Sequence, residues 1–333
     1  MPLAARDTAR HPTTRVYFIM PVHAFIFPGQ GSQAVGMGRD LAAAFSAARE
    51  VFQEVDDVLR QKLSKLMFEG PGEELTLTEN TQPALMAVSL AVLRVLEQEG
   101  GIVVPERAAL VAGHSLGEYS ALAATGSLGV AECAQLLRQR GQAMQLAVPQ
   151  GEGAMAALLG AELDLARAIC VEAAEDQVVE AANDNGGGQV VISGHRAAVE
   201  RAVEMAKARG VKRAMLLPVS APFHCALMAP AAEVMAAALE NVRIAAPTVP
   251  LIANVSAMKV TDPAEIRELL VKQVTGTVRW RESILACTTI GVDSFIELGV
   301  GKVLTGLVRR IAPDARAAAA GTPGEIEALL KVI

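Results

Sequence analysis

The sequence predicts an α/β protein: a mostly parallel sheet wrapped by helices, with a second, smaller sheet unit set into it. Two patterns carry this expectation. From residue 24 onward, short apolar runs alternate with helical stretches, the rhythm of βαβ units. In the middle of the chain the rhythm becomes β-α-β-β-α-β around a Gly-rich hairpin. The composition can support such a core, since 52% of the 333 residues are hydrophobic and only 20% charged. That length suits one large or two unequal domains. With aromatics at 3%, the interior must be built mainly from Ala, Val, Leu, Ile and Met.

The elements follow in order. Residues 24–27 read as a short buried strand leading into a Gly-rich loop at 28–33. A helix is expected over 41–59, where Phe45, Val51, Phe52, Val55 and Leu59 recur at near-helical spacing. Thr81, Gln82 and Pro83 introduce an apolar helix over 84–99, ended by Gly100 and Gly101. Residues 108–112 form a strand, 116–125 a helix closed by Gly126, and 130–148 a longer helix. The central unit comprises strand 154–159, helix 163–174, strand 178–182, a Gly-rich turn at 185–188, strand 189–193, helix 197–208 and strand 214–219. That order is the ferredoxin-like one, and it is expected as an insertion over 149–219 into a larger unit of 21–148 and 220–333. The larger unit resumes with strands at 251–255 and 295–298. Residues 1–20 carry Arg6, Asp7, Arg10 and Arg15 with no continuous apolar stretch, which fails as a secretory signal. They are read as a disordered extension or the product of an upstream start.

Charge and cysteine usage exclude several classes. Thirty Lys and Arg against 36 Asp and Glu leave a formal charge of −6, with no basic surplus for a nucleic acid. Cys133, Cys170, Cys225 and Cys287 lie far apart without metal-ligand spacing, so neither a disulfide framework nor a metal site is expected. The protein is expected to be cytoplasmic and monomeric. Two uncharged windows, 16–38 and 214–232, are interrupted by Pro, Gly and His and cannot be membrane-spanning helices. They read instead as walls of a pocket.

Within this frame the chemistry-bearing residues stand out. GHSLG at 113–117 falls between an expected strand and an expected helix, the setting of a nucleophile elbow. Ser115 is then the candidate nucleophile, with the following amide, Leu116 N–H, aimed at an oxyanion. Of the five histidines, His11 lies in the set-aside start and nothing brings His23 near the elbow. His114 should be turned away by the elbow itself, and His195 reads as a solvated cap. His224, in the middle of the second uncharged window, is left as the base. On the helix over 130–148, Arg140 falls within the apolar face defined by Val130, Cys133, Leu136, Leu137, Met144 and Ala147, whereas Arg138 sits opposite. An inward guanidinium needs an anion, either an internal Asp or Glu or a substrate carboxylate. The loop at 29–33 is neither a dinucleotide fingerprint nor a P-loop, but could supply a second oxyanion amide, with Gln30 best placed.

Taken together, FPGQGSQ at 27–33, TQPAL at 81–85, GHSLGEYSALAA at 113–124, RQRGQAMQ at 138–145, GQVVISG at 188–194, SAPFHCALM at 220–228 and GKVLTGL at 301–307 closely resemble the malonyl-CoA:acyl carrier protein transacylases. The resemblance covers about residues 24 to 312. It implies an α/β-hydrolase-like core with a ferredoxin-like subdomain, Ser115 as nucleophile and His224 as base. It also implies Gln30 and Leu116 as oxyanion amides, Arg140 as the clamp on the malonyl carboxylate, and Gln273 as the residue whose backbone carbonyl orients the histidine. Malonyl-CoA and acyl carrier protein are the implied partners, with no metal or other cofactor. Phe223 resembles the pattern of malonyl-selective enzymes rather than those taking branched units. Carrier proteins are typically acidic, so Lys302, Arg309, Arg310, Arg279 and Arg281 are candidate docking residues on an otherwise acidic enzyme. One departure from the family is GluLeuGlyValGly at 297–301, where a proline is usual in fourth place. A discrete polyketide acyltransferase would share every motif, and a serine esterase would share Ser115 and His224 but have no use for Arg140.

Overall fold

The computed structural model describes residues 22–333; the expectation for residues 1–20 lies outside the described residues. The strands are β1 His23–Phe27, β2 Ala108–Gly113, β3 Gly153–Leu159, β4 Val179–Asp184, β5 Gln189–His195, β6 Arg213–Leu216, β7 Leu251–Ile252, β8 Lys259–Val260, β9 Ser294–Leu298 and β10 Arg316–Ala320. They form two sheets. The larger has the order β10-β9-β1-β2-β7-β8 and is parallel except for the β7–β8 pair. Its central strands β1 and β9 are buried along their whole length because both faces are covered. Phe25 and Phe27 point into the main core, while Ala24 and Ile26 point into a second cluster around Trp280 on the opposite face. The chain steps from β1 to β2 and β7 in one direction and from β9 to β10 in the other. Such a reversal opens a crevice at the carboxyl ends of the strands, where parallel sheets bind ligands.

The smaller sheet is antiparallel, in the order β4-β5-β3-β6. One face carries the helices Leu163–Ala174 and Arg196–Ala208, packed through Ile169, Ala198 and Ala202. The other face contributes Met155, Ala182 and Val191 to the main core. The two sheets therefore share packed surface, with one wall of a cavity coming from each. Among the described residues, no helix is long and apolar enough to cross a membrane.

Local differences from the expectation have consequences for the site. The helix expected over 41–59 is two helices, Arg39–Ala44 and Ser46–Leu59, separated by an extended Phe45. The helix expected to begin at 84 spans Thr78–Gly100 and runs through Pro83. Its first turn is anchored from behind: Thr81 Oγ1 donates to Leu75 O at 2.6 Å and Asn80 Nδ2 to Glu74 O at 2.9 Å. Pro83 is the sixth helical residue, so the helix forgoes the bond that an N–H there would make to Glu79 O and depends on this anchoring and on its burial instead. This extension places Gln82 in the interior. His195 closes β5, and its Nδ1 accepts the Val178 N–H at 3.0 Å, so it is not the solvated side-chain cap expected of it.

Candidate active site

β2 ends at Gly113 and the helix Gly117–Ala124 begins four residues on, so the chain must reverse within GHSLG. The reversal brings backbone against backbone. A Cβ on Gly113 would lie 1.9 Å from Gly117 O, and one on Gly117 would lie 2.3 Å from Phe27 O. Ser115 takes φ 54°, a left-handed conformation that costs a non-glycine residue on the order of 1 kcal/mol or more. Asn254, just beyond β7, holds it there: its Oδ1 accepts the Ser115 N–H at 2.8 Å and its Nδ2 donates to Gly113 O at 2.7 Å. The Ser115 side chain thereby faces a cavity of about 630 Å³ between the two sheets.

His224 reaches the same cavity from the loop after β6. Its Nε2 lies 2.8 Å from Ser115 Oγ and its Nδ1 lies 2.9 Å from Gln273 O. A carbonyl oxygen can only accept, so Nδ1 carries the proton and Nε2 is left to accept from the serine hydroxyl. Burial, followed by the Arg140 charge, pulls the His224 pKa down to about 3, against the smaller opposing effect of the Gln273 bond. The ring is neutral at any physiological pH and able to take a proton from Ser115.

Arg140 is 1% exposed. It is brought to the site by a close helix contact, since a Cβ on its neighbour Gly141 would lie 2.5 Å from Glu79 Cα. Its Nη1 donates to Gln82 Oε1 at 2.8 Å, and its Nη2 donates to Gln273 Oε1 at 2.9 Å and to Ser115 Oγ at 3.2 Å. Every acceptor is neutral. Among the described residues no carboxylate lies within ion-pair distance of it, and its Nε–H has no partner. Of the two readings of an inward arginine, an internal Asp or Glu in direct contact is therefore absent. Gln30 lines the cavity with its side chain amide bonded to Thr78 Oγ1 at 3.3 Å. Among the described residues, no acceptor within the chain takes up the backbone N–H of Gln30 or of Leu116.

Other sequence expectations fare variously. His114 is not turned out of the cavity but lines it, with Nε2 2.9 Å from Asn185 Oδ1 and its ring tilted against Trp280. The elbow twists Ser115, not its neighbour, and the hairpin turn of the smaller sheet reaches across to hold His114. Phe223 lines the cavity beside His224. Of the five basic candidates, Lys302 pairs with Glu325, Arg279 with Glu282 and Arg281 with Asp184, while Arg309 bonds Ala317 O. Only Arg310 reaches the cavity, where it donates to Gln189 Oε1 at 3.2 Å. No motif or spacing taken alone marks a role for Gln82, Glu118, Asn185 or Asn254. Gln82 and Glu118 lie inside two of the quoted motifs, TQPAL and GHSLGEYSALAA, which was the available signal.

Fold and family together make the protein an acyltransferase. The chain belongs to the acyl transferase domain family, which it matches over residues 24–322. It is 47% identical over 311 residues to the malonyl CoA-acyl carrier protein transacylase of Salmonella typhimurium, covering 93% of this chain and 99% of that one. It is 46% identical to the protein of the same name from Bacillus subtilis, covering 93% of this chain and 96% of that one. Among solved structures, an acyl-carrier-protein-S-malonyltransferase from Bartonella henselae superposes with a TM-score of 0.91 at 58% identity, covering 93% and 99% of the two chains. A malonyl-transacylase in complex with its type II PKS acyl-carrier protein superposes with a TM-score of 0.90 at 44% identity, over 93% and 99%.

Proposed function

We propose that the protein transfers the malonyl group from malonyl-CoA to the phosphopantetheine thiol of acyl carrier protein, in fatty acid biosynthesis, through a malonyl ester on Ser115. The observation that carries this reading is a buried guanidinium, bonded only to neutral oxygens, touching the hydroxyl of a serine paired with a neutral histidine. The names of the relatives point to the same substrates.

The chemistry runs in two halves. Ser115 Oγ attacks the thioester carbon of malonyl-CoA while its proton passes to His224 Nε2. The resulting imidazolium keeps its Nδ1–H on Gln273 O. Negative charge on the former carbonyl oxygen is met by the Gln30 and Leu116 amides, each donor of this kind contributing about 3 kcal/mol. Collapse breaks the carbon–sulfur bond, and the leaving CoA thiolate takes the proton back from His224. The malonyl ester remains on Ser115 with its carboxylate on Arg140, whose bond to Ser115 Oγ acylation releases. The carrier thiol then attacks the ester with the same proton traffic reversed, restoring the serine. Malonyl-CoA and the phosphopantetheinylated carrier supply all the reacting atoms, so no metal or redox group is called for. Phe223 lines the cavity beside His224, where its ring would disfavour a branched acyl group.

The same reading takes the parallel sheet as an α/β-hydrolase-like core over 21–148 and 220–333, and the antiparallel sheet as a ferredoxin-like insertion over 149–219. Support for the second part is the β-α-β-β-α-β connectivity combined with the strand order β4-β5-β3-β6. Arg310, at the cavity, is the favoured contact for an acidic carrier.

Intact-protein mass after brief exposure to malonyl-CoA tests the reading. The wild-type protein should gain one malonyl group and Ser115→Ala none. Phosphopantetheinylated carrier protein should then discharge the adduct, more slowly as salt is raised. Free malonate without an adduct would replace the transferase by a hydrolase, and no adduct with no turnover would overturn the substrate assignment.

A further inference from the structure

Glu118 is 1% exposed and lies directly behind the site, yet no step above uses it. Its Oε2 accepts from Gln273 Nε2 at 2.7 Å and from the Asn254 backbone N–H at 3.2 Å. Gln273 Nε2 also donates to Ser115 O at 2.9 Å, so both amide hydrogens face acceptors and Oε1 is obliged to face Arg140. The reverse amide orientation would set donor against donor at the guanidinium and oxygen against oxygen at Glu118. A cation and an anion are thus joined through one neutral amide, Arg140–Gln273–Glu118, rather than in direct contact. The separation matters. A direct ion pair would occupy the guanidinium that a substrate carboxylate needs, whereas a lone buried charge is very costly. The relay compensates Arg140 and leaves it available.

A difficulty arises when a second carboxylate enters. One guanidinium then faces two anions in a dry site, and like charges that close cannot both remain ionised without penalty. The incoming carboxylate contacts Arg140 directly; Glu118 does so only through Gln273, and is the one to give way. We propose that Glu118 is a proton-linked counter-ion to Arg140: it carries the balancing negative charge in the free enzyme and takes up a proton from solvent when the substrate carboxylate docks on the guanidinium. This rests on the malonyl reading given above. Glu118 is a positioning residue in this scheme, since it touches neither substrate nor reacting atoms.

The surroundings fit such a role. Burial, outweighing the opposing bonds to Gln273 and Asn254 and the Arg140 charge, raises the Glu118 pKa to about 7, so a small further push neutralises it near physiological pH. Burial shifts the other titratable groups of this region toward their neutral forms. Burial raises Tyr119 on its own helix and Cys133 on the helix Val130–Leu146, and lowers His114 on the elbow and His224 on the loop after β6. Among the described residues, Arg140 is the charge that acts on Glu118.

The test is the pH dependence of the loading equilibrium. Serine plus thioester gives ester plus thiol with no net proton, so any pH slope below the thiol pKa reports a linked group. With intact mass read at fixed ratios of malonyl-CoA to CoA, the wild-type loading constant should fall about tenfold from roughly pH 6 to roughly pH 8.5, as expected if the acyl carboxylate raises the Glu118 pKa by about one unit. Glu118→Gln keeps an acceptor for Gln273 and Asn254 but cannot titrate, and its loading constant should be flat over the same range. A flat wild-type profile, or an equal slope in both proteins, overturns the proposal. Infrared difference spectra of the wild-type enzyme, loaded with a ¹³C-labelled malonyl group, give a readout that needs no variant: a new unlabelled protonated-carboxyl band supports it, and its absence at pH values near 7 overturns it. Failure of the wild type to load at all would instead remove the malonyl reading, and this inference with it.

Discussion

In the free protein Arg140 touches no anion directly: Gln82, Gln273 and Ser115 offer it only dipoles, and Glu118 reaches it only through Gln273. Its charge gains a full partner only when an anionic acyl group arrives. Arg140→Ala is therefore expected to lose about 2–5 kcal/mol of preference for malonyl-CoA over an uncharged acyl-CoA, roughly a thirtyfold to several-thousandfold drop in the ratio of kcat/KM values. An unchanged ratio would remove the clamp. At this scale the sequence was informative where the chemistry is local. Ser115 announces itself through five consecutive residues, and His224 could be isolated because histidines are few. Gln82, Asn254 and Glu118 were not legible. An amide or buried carboxylate acquires its role from what three separate elements set around it, and here the partners are up to 155 residues apart.

Elements were legible in kind more often than in extent. The helix Leu163–Ala174 has the bounds that its spacing implies, whereas the helix Thr78–Gly100 begins six residues before the expected start, because side-chain bonds to the preceding turn override the stop signal of Pro83. The helix Val303–Ile311 shows what pattern alone could not supply. Its Leu304 and Leu307 line the cavity together with Arg310. No side chain of its own first turn caps it. Glu297, fully buried at the end of β9, does so from outside, accepting from Leu304 N at 3.1 Å and from Thr305 N and Oγ1 at 2.7 Å each. Glu297→Ala would leave the Leu304 and Thr305 amides without this acceptor, while the Thr305 hydroxyl keeps Ala318 O, and is expected to cost about 2–4 kcal/mol in denaturant unfolding. Glu297→Gln, which still accepts, should cost less. Equal losses would show that volume, not the cap, is what Glu297 provides.

The whole molecule depends on a seam between its two sheets, which sequence pattern does not reveal because its side-chain bonds join segments 96 and 97 residues apart. β4 is an edge strand, and the segment 277–281 covers that edge. Val278 N donates to Ala182 O and Asp184 N to Val278 O, both at 2.9 Å, while Thr277 Oγ1 donates to Ala181 O at 2.7 Å. Beside them Arg281 Nε bonds Asp184 Oδ2 at 2.8 Å, with the Asp184 side chain only 3% exposed. The next residue, Asn185, holds His114 on the elbow. The candidate active-site cavity lies across this seam, so its walls stay in register only while the seam is closed. Arg281→Ala leaves a nearly buried carboxylate unpaired. Because Arg281 itself is about one-third exposed, the cost is discounted to about 1–2 kcal/mol, or a fall in melting temperature of a few degrees. Calorimetry should show one cooperative transition in the wild type and the same single transition, shifted down, in the variant. The KM for malonyl-CoA should rise as Asn183 and Asn185 lose their placement in the cavity wall. Two resolved transitions in the wild-type protein would mean that the smaller sheet and its helices fold on their own and that the seam does not couple the sheets.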